Sequence, residues 1–332
     1  MSNTNLEKSG NFLKFNQISA LWKFSRPHTI IGTTLSVCGL SFLAFALTKT
    51  AQIFSINTYL LGVFLGWCAC ICGNIYIVGL NQLEDVEIDL INKPHLPLAS
   101  GEFSQRQGQF IVGITGFVAI VLAALGGPFL LGTVGISLLL GTVYSLPPIR
   151  LKRFPFWAAF CIFTVRGVIV NLGLFLHFQW LLQFNGKRWG LFPEIIISNS
   201  SFRLLPLEIW VLTLFVLGFT LTIALLKDIP DIEGDRTYNI KTFTVRLGGK
   251  TVFYFSLIVL TICYLGITVA GVFLLPSVNR VMLASSHLLL MGFMLGKSQQ
   301  VDIEDKSAIA GFYQFIWKLF FLEYIIFPIT CL

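Results

Sequence analysis

The chain has 332 residues, of which 55% are hydrophobic and 12% are charged, and its mean hydropathy is +0.79. These values exclude a disordered, collagen-like or disulfide-stapled chain, and they lie far above those of water-soluble domains. The net charge of +7 does not indicate nucleic-acid binding, because the basic residues are scattered over short loops between apolar segments. The sequence therefore predicts an integral protein of the lipid bilayer.

Nine apolar windows of membrane-spanning length follow one another along the chain. Gly126-Gly127-Pro128 separates the third window from the fourth and predicts a tight hairpin between two antiparallel helices. We expect an all-α polytopic membrane protein with a polar segment at 1–27 and a single domain at 28–332. The predicted spans are 28–48, 58–80, 107–125, 128–146, 156–182, 207–226, 251–275, 280–296 and 311–331.

Lysine and arginine concentrate in the N-terminal segment and in every second loop after it. Because basic loops stay in the cytoplasm, we expect the N-terminus inside and the C-terminus on the opposite side. The apolar window that starts near His28 is too long for a signal-peptide core, and the leader lacks the Arg- and Ser-rich composition of a transit peptide. These features indicate a bacterial chain.

Half of the sixteen acidic residues lie in two nine-residue segments, 81–89 and 227–235. Four predicted spans separate these segments, so both should open on the cytoplasmic side. Each follows the second span of its half, which suggests a parallel internal repeat of spans one to four and five to eight. Within each segment the side chains recur at steps of three or four, which predicts one helix face, although Pro230 and Gly234 weaken the helical interpretation of the second segment. Those side chains are Asn81, Asp85, Asp89, Asp228, Asp231 and Asp235.

Like charges at this spacing repel by about 0.2–0.5 kcal/mol per pair, so a cation is expected between them. Carboxylate and amide oxygens, with no thiol or imidazole, suit Mg²⁺. We therefore predict all six side chains as magnesium ligands. The alternative is a pair of solvated helix ends, and the concentration of acids at matched positions argues against it.

The pattern Asn-Gln-x-x-Asp-x-x-x-Asp at 81–89, with Asp-x-x-x-Asp at 231–235, resembles the paired signature of the UbiA superfamily of intramembrane aromatic prenyltransferases. The segments 24–29, 92–102, 144–153 and 227–235 are similar to its homogentisate prenyltransferase branch. The resemblance covers essentially the whole chain.

This resemblance implies nine helices around a central cavity that opens to lipid, with two aspartate motifs that bind a prenyl diphosphate through Mg²⁺. It implies catalytic roles for Asp85, Asp89, Asp231 and Asp235, and it places Tyr144 and Lys152 in a stretch that helps hold the diphosphate. Lys93 and Arg153 are further candidates for diphosphate binding. Each of these two, like Arg150, could instead reflect membrane topology only, and for Arg150 we favour topology.

The acceptor in this branch is homogentisate, a dihydroxyphenylacetate whose carboxyl group is lost as carbon dioxide. Its carboxylate needs a cationic partner, and a guanidinium matches a carboxylate in a bidentate fork. Arg26, at the entry of span one, and Arg166, inside span five, are the candidates. Arg166 is expected to face the bundle interior near Asn171. A purely structural role for Arg166, on helix-end carbonyls or an aspartate cluster, is the open alternative.

The expected function is Mg²⁺-dependent transfer of a phytyl or related long prenyl group to homogentisate, as in tocopherol and plastoquinone synthesis, in a cyanobacterial membrane. A chlorophyll synthase or a 4-hydroxybenzoate prenyltransferase would share the metal ligands and differ in the acceptor. A divalent cation transporter would also fit a parallel repeat. Both acidic segments lie on one face, however, and the spans carry almost no polar groups at the midplane.

Overall fold

The computed structural model describes residues 17–48, 55–184, 205–232, 236 and 242–332, and the regular structure in these residues is helical throughout. Residues 17–24 form a helical segment ahead of the first span. The helices that follow are α1 (Pro27–Leu47), α2 (Ile56–Glu84), α3 (Val86–Asn92), α4 (Gln105–Gly126), α5 (Pro128–Ser145), α6 (Pro155–Ile162), α7 (Val170–Phe184), α8 (Leu207–Lys227), α9 (Phe243–Leu247), α10 (Gly249–Phe273), α11 (Arg280–Ser298) and α12 (Lys306–Thr330).

Nine helices in the described part of the chain are long and apolar enough to cross a membrane. Eight of them are α1, α2, α4, α5, α8, α10, α11 and α12. The ninth is the continuous helix Phe156–Gln183, in which α6 passes into α7 through a π-helical turn, Phe163–Ile169. The predicted spans agree with these helices to within a few residues at most ends, so the nine-span architecture is confirmed.

The predicted hairpin between the third and fourth spans is also confirmed. Gly126 ends α4, Gly127 has a φ of 116°, and Pro128 begins α5. Glycine supplies the positive φ without steric cost, and proline is suited to the first position of a helix because its missing N–H is not needed there. The chain therefore reverses over a single residue.

Helix packing in this bundle depends on small residues at close crossings. Gly39 of α1 lies against the main chain of Tyr324 in α12, where a Cβ atom would overlap the Tyr324 carbonyl oxygen. In the same way, Gly116 of α4 lies against the ring of Tyr76 in α2. Close backbone approach replaces the hydrophobic effect as a source of helix association in lipid. The outward faces carry large apolar side chains such as Phe117, as expected for contact with lipid.

The helices that end in the acidic segments are α2 and α8. The most extensive packing of α2 is on α4, and that of α8 is on α10. Each therefore packs on the next spanning helix of its half. This similarity is in keeping with a parallel repeat, which stays a prediction, as does the division into a polar segment at 1–27 and one domain.

Candidate active site

The first acidic segment is not one continuous helix, and the prediction of an unbroken helical face is wrong here. Helix α2 ends at Glu84, Asp85 has a φ of −117° and a ψ of 17°, and α3 begins at Val86. The spacing nevertheless keeps its neighbours together, because Asn81 Nδ2 donates to Asp85 Oδ2 over 3.1 Å and the Asp89 amide donates to the Asp85 carbonyl over 2.8 Å. Asn81, before the break, and Asp89, after it, therefore both stay linked to Asp85.

The break is stabilised from the loop after α5. Nη2 of Arg150 donates to the Glu84 carbonyl over 3.1 Å and to Asp85 Oδ1 over 3.0 Å. The carbonyl groups at a helix end lack intrahelical partners, and a basic side chain can satisfy them. Arg150, for which we favoured a topological role, thus also holds both the end of α2 and the first carboxylate of the acidic segment.

Lys152 lies in the short 3₁₀ turn Leu151–Arg153, beside Arg150. Its Nζ atom lies 2.7 Å from Asp85 Oδ2. One carboxylate therefore faces an ammonium and a guanidinium, and the side chains of this ion-paired group are less than one-fifth exposed. Arg153 of the same turn is exposed at the surface.

Two arginines near the first acidic segment have unusual backbone geometry. Arg26, which precedes α1, has a φ of 53°, and Arg150 has a φ of 39°; they are the two non-glycine residues with positive φ in the described ranges. Arg26 Nη2 donates to Asn81 Oδ1 over 3.4 Å. A left-handed backbone is costly for residues with a Cβ atom, and such strain is concentrated at functional sites.

The second acidic segment also departs from the predicted helix. Helix α8 ends at Lys227, Asp228 caps it, and residues 229–231 form a turn. Pro230 explains the end of the helix, because proline has no N–H to donate and disfavours a helical conformation in the residue before it. Asp235, predicted as a ligand and a catalytic residue, lies outside the described residues.

The two acidic segments open at the same end of the bundle. The Lys93 ammonium interacts electrostatically with Asp89 of the first segment and with Asp231 of the second. Tyr144, at the end of α5, interacts in the same way with Asp85 and Asp228. The predicted aspartates and their basic neighbours therefore form one polar rim. We call the group of Arg26, Asn81, Asp85, Asp89, Lys93, Tyr144, Arg150, Lys152, Lys227, Asp228 and Asp231 the acidic rim.

Burial sets the electrostatics of this rim. Asp89 is only 5% exposed, and burial raises the pKa of its carboxyl group against the opposing effect of Lys93 and Arg26. Burial likewise raises the pKa of Asp228, although Lys227 opposes the change. Asp89 Oδ2 is buried without a hydrogen-bond partner among the described residues. A buried carboxylate oxygen left in this way is costly unless a cation joins it.

The acidic rim fits Mg²⁺ by the chemistry of its donors. Its candidate ligands offer only oxygen atoms, and they are Asn81, Asp85, Asp89, Asp228 and Asp231. The Oδ2 atom of Asp89 has no hydrogen-bond partner among the described residues. Within the part of the chain that is described, no three carboxylate, imidazole or thiol groups are close enough together to enclose an ion. The described side chains therefore do not enclose a cation by themselves, and the Mg²⁺ prediction rests on the oxygen donors that they offer.

A cavity lies inside the bundle beneath the acidic rim. Its volume is about 120 Å³, and α1, α2, α5, α12 and the helix 156–183 line it. Asn74 lines the cavity and precedes Asn81 by two helical turns, so it lies about 10 Å below it on the same face of α2. The cavity therefore lies in the membrane-spanning part of the protein, and its last lining residue on α2, Ile77, is about one turn from Asn81.

Arg166 reaches this cavity from the π-helical turn, whereas Arg26 stays at the rim. The Arg166 guanidinium lies over the ring of Trp317, 4.7 Å from its centroid, and 6.0 Å from that of Phe320. Asn171 Nδ2 donates to the Arg166 carbonyl over 3.4 Å. The expectation that Arg166 faces the interior near Asn171 is therefore confirmed. Of the two candidate partners for the acceptor carboxylate, Arg26 therefore lies at the acidic rim and Arg166 lines the cavity.

Comparison with known proteins identifies the family. Residues 36–319 match the UbiA prenyltransferase family. The chain belongs to this family. The UbiA chain is 50% identical, over 94% of its own length and 96% of the relative's, to the homogentisate phytyltransferase of Synechocystis sp.. It is 37% identical to the homogentisate geranylgeranyltransferase of Triticum aestivum, over 94% of this chain and 72% of that one.

The fold of the UbiA chain is also that of solved structures. A UbiA homolog from Archaeoglobus fulgidus bound to GPP and Mg²⁺ superposes with a TM-score of 0.55 and 16% identity, over 93% of this chain and 99% of that one. At this level of identity the likeness establishes the fold. The chain is a multi-pass membrane enzyme of the prenyltransferase class, and membership of this family decides against the cation-transporter alternative.

Proposed function

We propose that this UbiA-family enzyme transfers a phytyl group from its diphosphate to homogentisate, with loss of carbon dioxide, in a Mg²⁺-dependent reaction. The observation that carries the proposal is the grouping of aspartates and several basic side chains at one end of the membrane bundle, about one helical turn along α2 from a cavity that Asn74 and Ile77 line. An allylic diphosphate needs this combination, because its head is a polyanion and its tail is insoluble in water.

Asn81, Asp85, Asp89, Asp228 and Asp231 would hold Mg²⁺, and Asp235 completes the proposed set from outside the described residues. Bound there, the ion would supply charge neutralisation for the diphosphate as it leaves.

The basic side chains of the acidic rim would provide preorganised positive charge where the leaving group gains negative charge. These side chains are Arg26, Lys93, Arg150, Lys152 and Lys227. Tyr144 contributes a phenol at the same place. Arg153, on the exposed side of its turn, is a candidate for the first encounter with the diphosphate.

The reaction begins when the bond between the allylic carbon and the diphosphate oxygen breaks, and the oxygen keeps the electron pair. Water would capture the resulting cation, so the cavity must keep water out. The cavity is lined mainly by apolar side chains and by small polar groups such as Thr29 and Ser36. Exclusion of solvent also strengthens the electrostatic interactions of the rim.

The acceptor ring completes the chemistry. A ring carbon of homogentisate forms the new carbon–carbon bond and loses its proton, while the methylene carbon takes a proton as the carboxylate leaves as carbon dioxide. Phytyl diphosphate is the favoured donor because the Synechocystis phytyltransferase is more similar to this chain than the wheat geranylgeranyltransferase is. We assign the acidic rim and the N-terminus to the cytoplasmic side, and the membrane to a cyanobacterial one, on the loop charges and on the Synechocystis relative.

The test is turnover by the purified chain in detergent. Homogentisate and Mg²⁺ are supplied with phytyl, geranylgeranyl or solanesyl diphosphate, and products are identified by mass spectrometry. We expect a prenylated methylquinol, formed fastest from phytyl diphosphate. Parallel reactions replace homogentisate with 4-hydroxybenzoate or chlorophyllide, which are the acceptors of the alternative members of the family. Absence of product from homogentisate with every donor, or preference for another acceptor, would refute the proposal.

A further inference from the structure

The helix that crosses the membrane fifth changes its winding where it carries its charged residue. Phe163–Ile169 is a π-helical turn between α6 and α7, and Arg166 is at its centre. A π-turn inserts one extra residue per turn and leaves the main chain with weaker internal hydrogen bonding, and it is common at functional sites. Such a turn needs support from outside the helix.

Asn171 and Tyr324 supply that support. Asn171 is fully buried, and its Nδ2 donates to the Gly167 carbonyl over 2.6 Å and to the Arg166 carbonyl over 3.4 Å. Asn171 Oδ1 in turn accepts a hydrogen bond of 2.8 Å from the hydroxyl of Tyr324 in α12. The amide is thereby fixed in orientation, and it binds two carbonyl groups of the wide turn.

Arg166 itself is a cation with no anionic partner. Among the described residues, no carboxylate pairs with its guanidinium, and its neighbours are the aromatic rings of Trp317 and Phe320. A guanidinium stacked on a ring keeps its N–H donors free along its edge. A charge inside a membrane bundle is expensive, so an exposed edge that faces a cavity indicates an anion that arrives with a ligand.

We propose that Arg166 binds the carboxylate of the aromatic acceptor inside the cavity, and that Asn171 and Tyr324 position Arg166 for this contact by stabilising the π-helical turn. The inference deepens the proposed function and rests on it, since it names where the acceptor's charged group is held. A neutral Arg166–carboxylate pair also keeps an uncompensated positive charge away from the allylic cation.

The depth of Arg166 separates this anion from the diphosphate. Arg166 follows the start of α6 by eleven residues, which corresponds to about 16 Å along the helix axis. The cations placed to receive a diphosphate are at the acidic rim, with Arg26 on Asn81 and Lys152 on Asp85. The bundle therefore offers two groups of positive charge, one at the rim for the donor's head and one on the cavity wall for the acceptor's carboxylate, and His28 lies within electrostatic reach of both.

Binding without catalysis gives the first test. Equilibrium dialysis measures the affinity of the purified, Mg²⁺-free protein for labelled homogentisate and for 2,5-dihydroxytoluene, which has the same ring and a methyl group in place of the carboxymethyl group. Protein-free micelles serve as the blank. We expect tighter binding of homogentisate, and at least a ten-fold loss of that affinity in Arg166→Gln, with 2,5-dihydroxytoluene changed by less than about two-fold. Arg166→Lys should lie between wild type and Arg166→Gln.

Turnover kinetics test the positioning role. Tyr324→Phe removes one hydroxyl and keeps the packing of the ring, and it should raise KM for homogentisate about three- to ten-fold while KM for the prenyl diphosphate and kcat stay within about two-fold. Tyr264→Phe is the matched control, because Tyr264 is fully buried and its hydroxyl has no hydrogen-bond partner in the described residues. It should change neither KM. Asn171→Leu should reproduce Tyr324→Phe with a larger effect.

The outcomes separate this inference from the proposed function. Equal loss of both ligands in Arg166→Gln, or no preference of the wild type for homogentisate over 2,5-dihydroxytoluene, overturns the carboxylate contact. A fall in kcat with no change in the acceptor's KM in Tyr324→Phe overturns the positioning role. If prenyl transfer to homogentisate does not depend on Arg166, the proposed function stands and this inference fails. If homogentisate binding depends on Arg166 but no transfer occurs, the carboxylate contact stands and the proposed function fails.

Discussion

Nζ of Lys152 lies 2.7 Å from Oδ2 of Asp85, so the loop that follows one span is tied to the acidic segment that ends another. The same carboxylate receives Arg150 over 3.0 Å. The first aspartate of the rim is thus paired with two protein cations. Asp85 would hold Mg²⁺, and Lys152 and Arg150 would bind the diphosphate beside it.

The first prediction concerns one aspartate from each acidic segment. Asp85→Asn and Asp231→Asn should each reduce prenyl transfer at least about a hundred-fold, because an amide cannot neutralise the metal that the leaving group requires. Initial rates at saturating Mg²⁺ and donor measure the effect, and thermal unfolding in detergent checks the fold. Glu102→Gln is the control, since Glu102 is a partly exposed carboxylate paired with Lys23 outside the acidic rim. Near-normal rates in both aspartate variants would remove them from the site.

Lys152 should act mainly on the donor. Lys152→Met keeps the length of the side chain but removes the charge, and it should raise KM for the prenyl diphosphate about ten-fold or more while KM for homogentisate changes little. Lys23→Met is a close comparison because Lys23 also forms a 2.7 Å ion pair with a carboxylate, and that pair is at the protein surface. Exposed pairs contribute little, so this variant should match wild type. Equal effects of the two changes would contradict a donor-binding role.

The position of Lys93 predicts that KM for the prenyl diphosphate depends on pH in the alkaline range. Burial lowers the pKa of its ammonium, Lys227 and Arg26 lower it further, and Asp89 and Asp231 oppose the change. As pH rises, the group therefore loses its proton earlier than an ordinary lysine. Loss of this charge should raise KM for the prenyl diphosphate on the alkaline side. Burial lowers the pKa of Lys152 as well, so both lysines contribute to the rise in KM at alkaline pH.

Lys93→Arg isolates the part that belongs to Lys93. A guanidinium remains protonated throughout the accessible range, so the rise in KM should move to higher pH, although only in part because Lys152 still titrates. Profiles of KM for the donor between about pH 7 and 10 measure the shift. Lys23→Arg should leave the profile of the wild type unchanged. Superimposable profiles for Lys93→Arg and wild type would show that Lys93 does not contribute.

The nine spans and the acidic rim could be predicted because they depend on local properties of the sequence. A helix in lipid satisfies its main-chain hydrogen bonds internally, so a long apolar window is enough to predict each span. An even number of spans between 81–89 and 227–235 then places both segments at one end of the bundle. Arg166 could be assigned to the interior for the same reason, since a guanidinium is costly in lipid.

The remaining features of the site depend on contacts that spacing does not encode. The break at Asp85 is stabilised by Arg150, far along the chain, which donates to both the Glu84 carbonyl and the Asp85 carboxylate. Nothing in the local sequence distinguishes Arg150 from a topological charge. The π-helical turn likewise depends on Asn171 and on Tyr324 from the last span. The one available signal was Pro230, which correctly weakened the helical interpretation of the second segment.

The close crossing of α1 and α12 gives a prediction for stability. Gly39→Ala places a Cβ atom on the Tyr324 carbonyl oxygen and forces the helices apart, and overpacking of this kind costs about 1–3 kcal/mol. Gly113→Ala in α4 is the matched control, because no atom lies within 4 Å of the added carbon. It should be neutral or should stabilise slightly through helix propensity. Thermal unfolding in one detergent compares them. A higher unfolding temperature for Gly39→Ala would show that the crossing tolerates the methyl group.

The last prediction concerns a buried polar pair away from the cavity. His287 in α11 and Glu323 in α12 are 0% and 1% exposed, and Nε2 lies 3.1 Å from Oε2. Nδ1 lies 2.7 Å from the Leu283 carbonyl, which can only accept, so Nδ1 carries a proton. A second proton must then lie between Nε2 and the carboxyl group, whichever of the two holds it.

This arrangement distinguishes two substitutions at Glu323. Glu323→Gln keeps a donor that can bond to neutral Nε2, so it should lower the unfolding temperature only slightly. Glu323→Leu leaves Nε2 buried without a partner and should cost about 1–3 kcal/mol. Replacing both partners removes that penalty, so His287→Leu/Glu323→Leu should be more stable than Glu323→Leu alone. Unfolding temperatures of the four proteins in detergent decide the matter, and a Glu323→Leu variant as stable as wild type would show that the pair contributes nothing.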